Sequence, residues 1–404
     1  MTETVSAPAR RPLALVLGAA MAFTPLAIDM YLPALPSLQK SLDAGPGAVQ
    51  LTLATFFAGL ALGQALYGPF TDRFGRRVPL MVGMVLFVVA SVGCALAPSI
   101  DALIVLRFFQ ALGGCAGMVV TRAVVRDHFD ERGSARMFAM LMLVMGVAPV
   151  LAPLIGAQIL VNFGWSAIFW ALAGFGALCL GFVAFALPES LPADRRQPLG
   201  LMSSLRTYGR LLVDRPFMSN TLACAFSMTG LFAYIAGSPY VFIELFGVSP
   251  ENYGWLFGLN ALGLIAASQI NHRLLAYWPG QKILSVAVSI VALSGIALFV
   301  AAEARWFGLV GIMVPLFFYL CAMGFVIPTA TAAAMAPHGR VAGSASSLIG
   351  VLQFIFGAFV GTVIGTMQNG TAVPMSVAIA ACGGLAFCAR RFIAPRKTPT
   401  AARG

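Results

Sequence analysis

The sequence predicts an all-α polytopic membrane protein, with 12 transmembrane helices in two six-helix halves. Of its 404 residues, 60% are hydrophobic and only 10% are charged, whereas soluble domains average about 45–50% and about 25%. The apolar residues form unbroken runs, which excludes the alternating pattern of an outer-membrane barrel. Disorder is also excluded, because it requires low hydrophobicity.

A helix needs about 20 predominantly apolar residues to cross a bilayer, and 12 stretches of the chain meet this requirement. The predicted spans are 12–36, 47–70, 78–98, 101–125, 135–160, 163–187, 217–246, 251–271, 282–302, 305–335, 341–367 and 371–393. The first run is longer than the core of a signal peptide and contains Asp29. We therefore interpret it as a permanent helix rather than a cleaved signal.

The positions of Lys and Arg predict the orientation in the membrane. With an even number of spans, both termini lie on one side, and 22 of the 25 basic residues fall on that side. Lys40 and Arg305 fall on the other side, and Arg107 lies within a span. Positive charge favours the cytoplasm, so we expect both termini there, in a bacterial inner membrane. The net charge of +11 is then a topology signal and gives no support to a nucleic-acid partner.

A polar connector at 188–216 divides the chain near its middle. It contains Pro188, Pro192, Pro198 and five arginines, and it separates a predicted N-terminal half at 1–187 from a C-terminal half at 217–404. Several residues of the second span recur in the eighth span at an offset of 200, for example Phe57 with Phe257 and Gly63 with Gly263. Such internal repeats are common in transporters.

Several kinds of chemistry are not expected. The chain has no P-loop pattern, so ATP hydrolysis is not its energy source. The three histidines fall in connectors and the seven cysteines occur singly, which argues against a metal site or a disulfide framework. No cluster of catalytic residues falls within the spans, and we do not expect an enzyme.

Three motifs resemble those of the major facilitator superfamily. The loop after the second span reads G-P-F-T-D-R-F-G-R-R at 68–77 and is similar to the family's G-x-x-x-D-R-x-G-R-R motif. In the fourth span, Arg107 and Gln110 match the R-x-x-Q-G motif, with Ala111 in place of its glycine. The fifth span resembles the G-x-x-x-G-P-x-x-G motif of drug/proton antiporters through Gly146, Pro149, Pro153 and Gly156, with Val150 in place of one glycine.

The first span identifies a subgroup. Its sequence D-M-Y-L-P-A-L-P at 29–36 resembles the Bcr/CflA group, which exports bicyclomycin, phenicols and other drugs. The resemblance implies a monomeric, proton-coupled multidrug efflux transporter that exports small, largely neutral or amphipathic antibiotics by alternating access. Its partners would be the drug, protons and the lipid bilayer, with the proton gradient instead of a cofactor. A proton-coupled importer or exporter of a metabolite stays open as an alternative; a channel or structural membrane protein is less favoured.

Asp29 and Arg107 are the candidates for proton coupling. A charge within a span costs about 2.5–3.5 kcal/mol on insertion scales and normally faces a cavity or a partner. Burial favours the neutral carboxyl, and a nearby arginine favours the charged form. We expect Asp29 to bind the proton and Arg107 to tune it or to orient a water molecule between them. A static ion pair that fixes helix packing is the alternative.

The loop motif is expected to act as a gate. Its residues are Gly68, Asp72, Arg73, Gly75, Arg76 and Arg77, with Arg126 as the candidate partner of Asp72. By resemblance, this cluster latches the cytoplasmic side when the transporter opens outward. Asp72 is also placed to cap a helix N-terminus of the other half. Arg76 and Arg77 have a simpler interpretation as positive-inside anchors.

Pro149 and Pro153 each remove a backbone donor and are expected to bend the fifth span. Substrate contacts are predicted for polar residues within the spans, although each also has an interpretation as an interhelical hydrogen bond. They are Tyr31, Gln64, Gln110, Tyr234, Tyr240, Asn260, Gln269 and Gln353.

Overall fold

The computed structural model describes residues 7–196 and 200–393, and every regular element in these ranges is helical. The α-helices are α1 (Ala7–Asp29), α2 (Leu35–Ser41), α3 (Pro46–Phe74), α4 (Arg77–Ala95), α5 (Ile100–His128), α6 (Glu131–Phe163), α7 (Trp165–Ala186), α8 (Leu201–Val213), α9 (Arg215–Pro239), α10 (Pro250–Leu274), α11 (Gly280–Glu303), α12 (Gly308–Met335), α13 (Ala342–Thr366) and α14 (Val373–Cys388). Short polar side chains begin several of them: Ser99, Asp130 and Asp214 each accept a hydrogen bond from a first-turn backbone N–H.

All except α2 and α8 are long helices, which confirms the predicted class of helical membrane protein. Within the described ranges, 11 helical segments are long and apolar enough to cross a membrane. The remaining long helix is α10, which has 25 residues but carries Glu251, Asn260, His272 and Arg273. These residues make α10 less apolar than the other long helices, although 25 residues are enough to cross a bilayer.

The first predicted span does not continue as one straight helix. The structure ends α1 at Asp29, passes through a 3₁₀ turn at Leu32–Ala34 and continues as α2. Pro33 and Pro36 explain the break, because each lacks a backbone N–H and disfavours helix in the residue before it. Asp29 consequently lies at the end of α1, within the segment Ala14–Ser41, which as a whole is long and apolar enough to cross a membrane.

The connector between the predicted halves is partly helical. A 3₁₀ turn covers Ala193–Arg195, and α8 follows it at Leu201–Val213. In α8, Met202 and Leu205 are exposed together with Arg206 and Arg210. The sequence predicted only a polar connector, because the prolines and five arginines of this segment masked the short amphipathic helix.

Helix packing separates the bundle into two groups. The helices α1–α7, which we name the first half, pack mainly on one another, and so do α9–α14, the second half. Two long pairs join the halves, α3 with α13 and α6 with α10. At Gly59 the backbone of α5 lies so close that an added Cβ would collide with the carbonyl oxygen of Phe108. Small residues allow such close approach.

The seam between the halves is closed at one end. Gln50 Nε2 donates a hydrogen bond to the carbonyl oxygen of Ala236 at 2.7 Å. Nearby, a Cβ added to Gly47 would lie 3.2 Å from the carbonyl oxygen of Gly365. We name this end the closed face. The other end, which carries the α3–α4 turn, α8 and the end of α14, is named the basic face.

Candidate functional site

A cavity of about 550 Å³ lies between the halves at the basic face. The first half contributes parts of α3 and α5, and the second half contributes the start of α13. Residues of α8 complete the wall. The volume is in the range of pockets that hold drug-sized ligands. Among the predicted substrate residues, Gln64 lines this cavity.

Three aromatic rings close the cavity side of the seam. Phe57 of the first half packs on Phe232 and Phe354 of the second half, with ring centroids 4.4 Å and 6.4 Å away. Along α3, Phe57 lies between Thr52, which bonds Tyr31 close to Asp29, and Gln64, which lines the cavity. The aromatic layer therefore lies between the cavity and the region of Asp29. Apolar rings of this kind offer contact area without charge.

Asp29 lies beyond that layer, at the seam. Only 4% of its surface is exposed, and no hydrogen bond or ion pair to it is found among the described residues. It lies near the hydroxyl groups of Tyr234 and Tyr253, which belong to α9 and α10 of the second half. The buried acid of the first half therefore faces polar groups of the other half.

Those polar groups form a small network. Asn260 Nδ2 donates to the Tyr234 hydroxyl at 3.1 Å, and the Tyr253 hydroxyl lies 3.0 Å from Ser238 Oγ. Tyr234 also stacks on Phe257, with centroids 5.2 Å apart. Asn260 Oδ1 is buried without a described hydrogen-bond partner. A buried acceptor without a donor is costly, and it suits a bound water molecule or ligand.

Arg107 is fully buried, at 0% exposure, but its described contacts do not include Asp29. Its Nη1 donates to the carbonyl oxygen of Ala27 at 3.0 Å and to Gln110 Oε1 at 2.6 Å. The guanidinium lies 4.6 Å from the Tyr31 ring centroid and 4.2 Å from that of Phe56. It therefore caps the last turn of α1, where carbonyls lack backbone partners and positive charge is favoured.

Gln110 and Tyr31 are part of the support for this arginine. Gln110 Nε2 donates to Ser91 Oγ at 2.8 Å, and the Tyr31 hydroxyl bonds Thr52 Oγ1 at 2.9 Å. Both side chains are fully buried, at 0% exposure. Neither lines the large cavity.

The loop motif forms an ionic cluster around Arg76. Its guanidinium bonds Asp72 at 2.7 Å and Asp127 at 2.9 Å. Its side chain is only 10% exposed. Burial alone would lower the pKa of Arg76, but the hydrogen bonds to Asp127 and Asp72 outweigh it, so the pKa lies above its ordinary value. The arginine is more than a surface anchor.

Glu189 completes the cluster from the end of the first half. Its carboxylate accepts hydrogen bonds from the backbone N–H groups of Arg76 at 2.7 Å and Arg77 at 3.2 Å. A carboxylate at the start of α4 complements the helix dipole. Arg77 itself donates to the carbonyl oxygen of Ala184. Asp127 and Glu189 were not predicted from the sequence, although each follows the end of a predicted span on the basic face.

The remaining motif residues have separate positions. Asp72 pairs with Arg76 and not with Arg126, but both Asp72 and Arg126 line the cavity, as does Gly68. Arg73 lies over the Phe74 ring, with Cζ 5.6 Å from its centroid.

The antiporter-like helix α6 lies along the seam. Gly146 faces Ile265 of α10 at 3.4 Å from its Cβ position. Gly156 faces the end of α1, and an added Cβ would collide with the carbonyl oxygen of Met30. Pro149 and Pro153 lie within the helix between these glycines. The motif residues thus place α6 against the segment that follows Asp29.

The other substrate candidates are scattered. Tyr240 lines a small cleft at the closed face. Gln353 Nε2 donates to Cys224 Sγ at 3.2 Å, and Gln269 is exposed. The aromatic layer of Phe57, Phe232 and Phe354 was not predicted, because an apolar residue within an apolar span does not stand out in the sequence.

Comparison with known proteins identifies relatives over nearly the whole chain. The family model described as Major Facilitator Superfamily matches residues 17–362. The chain is 38% identical over 383 residues to an uncharacterized MFS-type transporter, YdgK, of Bacillus subtilis (strain 168), covering 94% of this chain and 95% of the relative. It is 32% identical over 382 residues to a bicyclomycin resistance protein homolog of Haemophilus influenzae, covering 95% and 96%.

Solved structures show the same fold. The xylose transporter XylE from E. coli, in a partially occluded inward open conformation, superimposes with a TM-score of 0.72, covering 96% of this chain and 99% of that one. The two sequences are only 14% identical.

Proposed function

The chain belongs to the major facilitator superfamily, and from this premise we propose that it is a proton-coupled exporter of small amphipathic drugs. As a member of this family it is a multi-pass membrane transporter and not an enzyme. The relative named for bicyclomycin resistance supports drugs as the cargo. We assign the basic face and both termini to the cytoplasm of a bacterial cell, because basic residues concentrate there.

Alternating access is supported by the asymmetry of the seam. The halves touch through Gln50 and Ala236 at the closed face, and a cavity separates them at the basic face. With the basic face in the cytoplasm, this is an inward-facing state that receives substrate from inside the cell. Export then requires the contacts at Gly47 and Gly365 to open while the basic face closes.

The observation that carries the proton-coupling proposal is the position of Asp29. It is a buried acid without a described ionic partner, at a helix end, facing Tyr234 and Tyr253 of the other half. A carboxylate at a seam is costly when charged, so its protonation favours a closed seam. Its deprotonation favours separation at the closed face, where water reaches it. Rocking of the halves then alternates the side from which the proton enters.

Arg107 has a positioning role in this proposal. It holds the last turn of α1 through the carbonyl oxygen of Ala27, two residues before Asp29. Asp72 has a gating role. It lines the cavity together with the start of α13, whose helix N-terminus favours a carboxylate. Closure of the basic face brings these two groups together.

The test compares Asp29→Asn with Asp101→Asn in an efflux-deficient bacterium. Asp101 is an exposed acid of the first turn of α5 and serves as the matched control. Wild type and Asp101→Asn are expected to raise resistance to bicyclomycin or another drug of a panel. Asp29→Asn and addition of a protonophore are expected to remove it.

Each outcome separates the parts of the proposal. Resistance of the Asp29→Asn variant equal to wild type would contradict the proton-binding role. Resistance unaffected by the protonophore would contradict proton coupling altogether. Absence of resistance to every compound, with normal amounts of protein in the membrane, would contradict drug export.

A further inference from the structure

Two arginines of α5 form one wall of the large cavity. Arg122 and Arg126 are four residues apart, so they lie on one face of the helix, and both line the cavity. Like charges at this spacing repel each other and destabilise a helix unless they are compensated. The wall therefore concentrates two positive charges in a partly enclosed space.

The described acids do not neutralise this pair. The ion pairs among the described side chains are Lys40–Glu244, Arg76–Asp72, Arg76–Asp127 and His338–Asp214. Asp72, the acid that lines the cavity, is bound to Arg76. Within the part of the chain that the structure describes, the cavity is thus strongly electropositive.

The opposite wall adds the start of a helix. The first turn of α13 lines the cavity through Ala342, Gly343 and Ser344, and Ser346 follows it. No side chain caps this helix start with a hydrogen bond, and a helix N-terminus carries partial positive charge. Ser203 and Ser204 of α8 line the same space, and the Ser203 hydroxyl donates to the carbonyl oxygen of Gly200 at 2.7 Å.

We propose that this cavity selects amphipathic organic anions, whose carboxylate or equivalent acidic group is held by Arg122 and Arg126. Guanidinium groups bind carboxylates through strong, charge-assisted hydrogen bonds. The apolar part of the ligand packs on Val119, Ala123 and Phe138, which also line the cavity. This inference rests on the proposed transport function and adds to it a preference, among amphipathic compounds, for those with an acidic group.

The test measures binding of three probes that share one aromatic skeleton, to the purified full chain in a nonionic detergent. The probes are 2-naphthoate, 2-naphthamide and (2-naphthylmethyl)trimethylammonium, and calorimetry gives each Kd. Wild type is expected to bind the anion about tenfold more tightly than the amide and to bind the cation least. The double variant Arg122→Gln/Arg126→Gln is expected to lose this preference while its Kd for the amide stays the same.

The matched control is Arg206→Gln/Arg210→Gln in α8. This pair has the same spacing and is exposed, but it does not line the cavity. It is expected to keep the preference for the anion. The single variant Arg126→Gln changes an exposed side chain and is expected to give an intermediate preference, which guards against misfolding of the double variant.

Equal binding of the anion and the amide by wild type would overturn the inference, and so would equal loss of preference in the control pair. Binding needs no proton gradient, so its outcome is independent of the Asp29→Asn experiment. A chain that binds 2-naphthoate but confers no drug resistance contradicts the proposed function and leaves the anion site standing.

Discussion

Two tight turns of the first half have nearly the same backbone and very different surroundings. Gly75 joins α3 to α4 with φ 86° and ψ 177°, and Gly164 joins α6 to α7 with φ 83° and ψ 173°. A phenylalanine precedes each glycine. This backbone conformation is essentially restricted to glycine. The same glycine backbone conformation thus reverses the chain direction at both faces of the bundle.

The surroundings separate the two turns. An added Cβ at Gly75 would collide with the Glu189 carboxylate, whereas nothing lies within 4 Å of that position at Gly164. After Gly164 comes Trp165, whose Nε1 donates to Ser41 Oγ at 3.0 Å. Because the turn at Gly164 forms without ionic partners, the charges around Gly75 are not needed for the turn. Their position beside the cavity supports the proposed role in opening and closing the basic face.

The largest expected effect follows from removing the centre of the charged cluster. Arg76→Gln leaves Asp127 without its described ionic partner. The two side chains are 10% and 20% exposed, so we expect a loss above the about 0–1 kcal/mol of an exposed pair and below the about 3–5 kcal/mol of a fully buried one. We expect a clear fall in the thermal unfolding midpoint of the purified protein, measured by the loss of monodisperse protein after heating.

Arg73→Gln is the control for Arg76→Gln, because Arg73 is an exposed arginine three residues earlier. It should leave the unfolding midpoint close to that of wild type. An unchanged midpoint in Arg76→Gln would show that the cluster contributes no stability in this conformation. Its role would then be confined to the closed state of the basic face.

The two turns also show which features could be predicted from the sequence and which could not. Apolar runs predicted the long helices, and the loop motif at 68–77 predicted a specialised α3–α4 turn. Neither gave the partners of Arg76, because Asp127 and Glu189 lie more than 50 residues further along the chain. Only the packing of α4 against α5 and α7 brings these acids to the turn.

Arg107 shows a second limit. The sequence predicted that it lies within a span and that it acts together with Asp29. The structure instead gives it the carbonyl oxygen of Ala27, a group that every residue carries and that no sequence pattern reveals. That carbonyl is accessible because α1 ends at Asp29, before the prolines at 33 and 36.

The second prediction separates backbone strain from the charged surroundings. Gly75→Ala and Gly164→Ala force the same unfavourable backbone conformation, at about 1–3 kcal/mol each. Gly75→Ala additionally displaces the Glu189 carboxylate from the start of α4. We expect both unfolding midpoints to fall, with the larger fall for Gly75→Ala.

Pairing each glycine variant with Glu189→Gln tests the origin of the difference. If the carboxylate is the cause, the extra loss in Gly75→Ala should shrink in the Glu189→Gln background, and Gly164→Ala should be unaffected by it. Equal falls of the unfolding midpoint for Gly75→Ala and Gly164→Ala, each made in the otherwise wild-type chain, would mean that Glu189 moves aside without loss of stability. The turn would then tolerate the loss of its acidic cap.

The smallest effect on stability is expected for Asp72→Asn. The Asp72 side chain is 54% exposed, and exposed ion pairs contribute about 0–1 kcal/mol, so the unfolding midpoint should remain near that of wild type. Under the proposed function, drug efflux should nevertheless slow, because Asp72 is proposed to meet the start of α13 when the basic face closes. Rates of efflux from loaded cells, normalised to protein in the membrane, measure this effect.

Two outcomes would contradict this expectation for Asp72→Asn. Normal efflux would leave Asp72 as a minor partner of Arg76. An unfolding midpoint as low as that of Arg76→Gln would make Asp72, and not Asp127, the principal ionic partner of the turn.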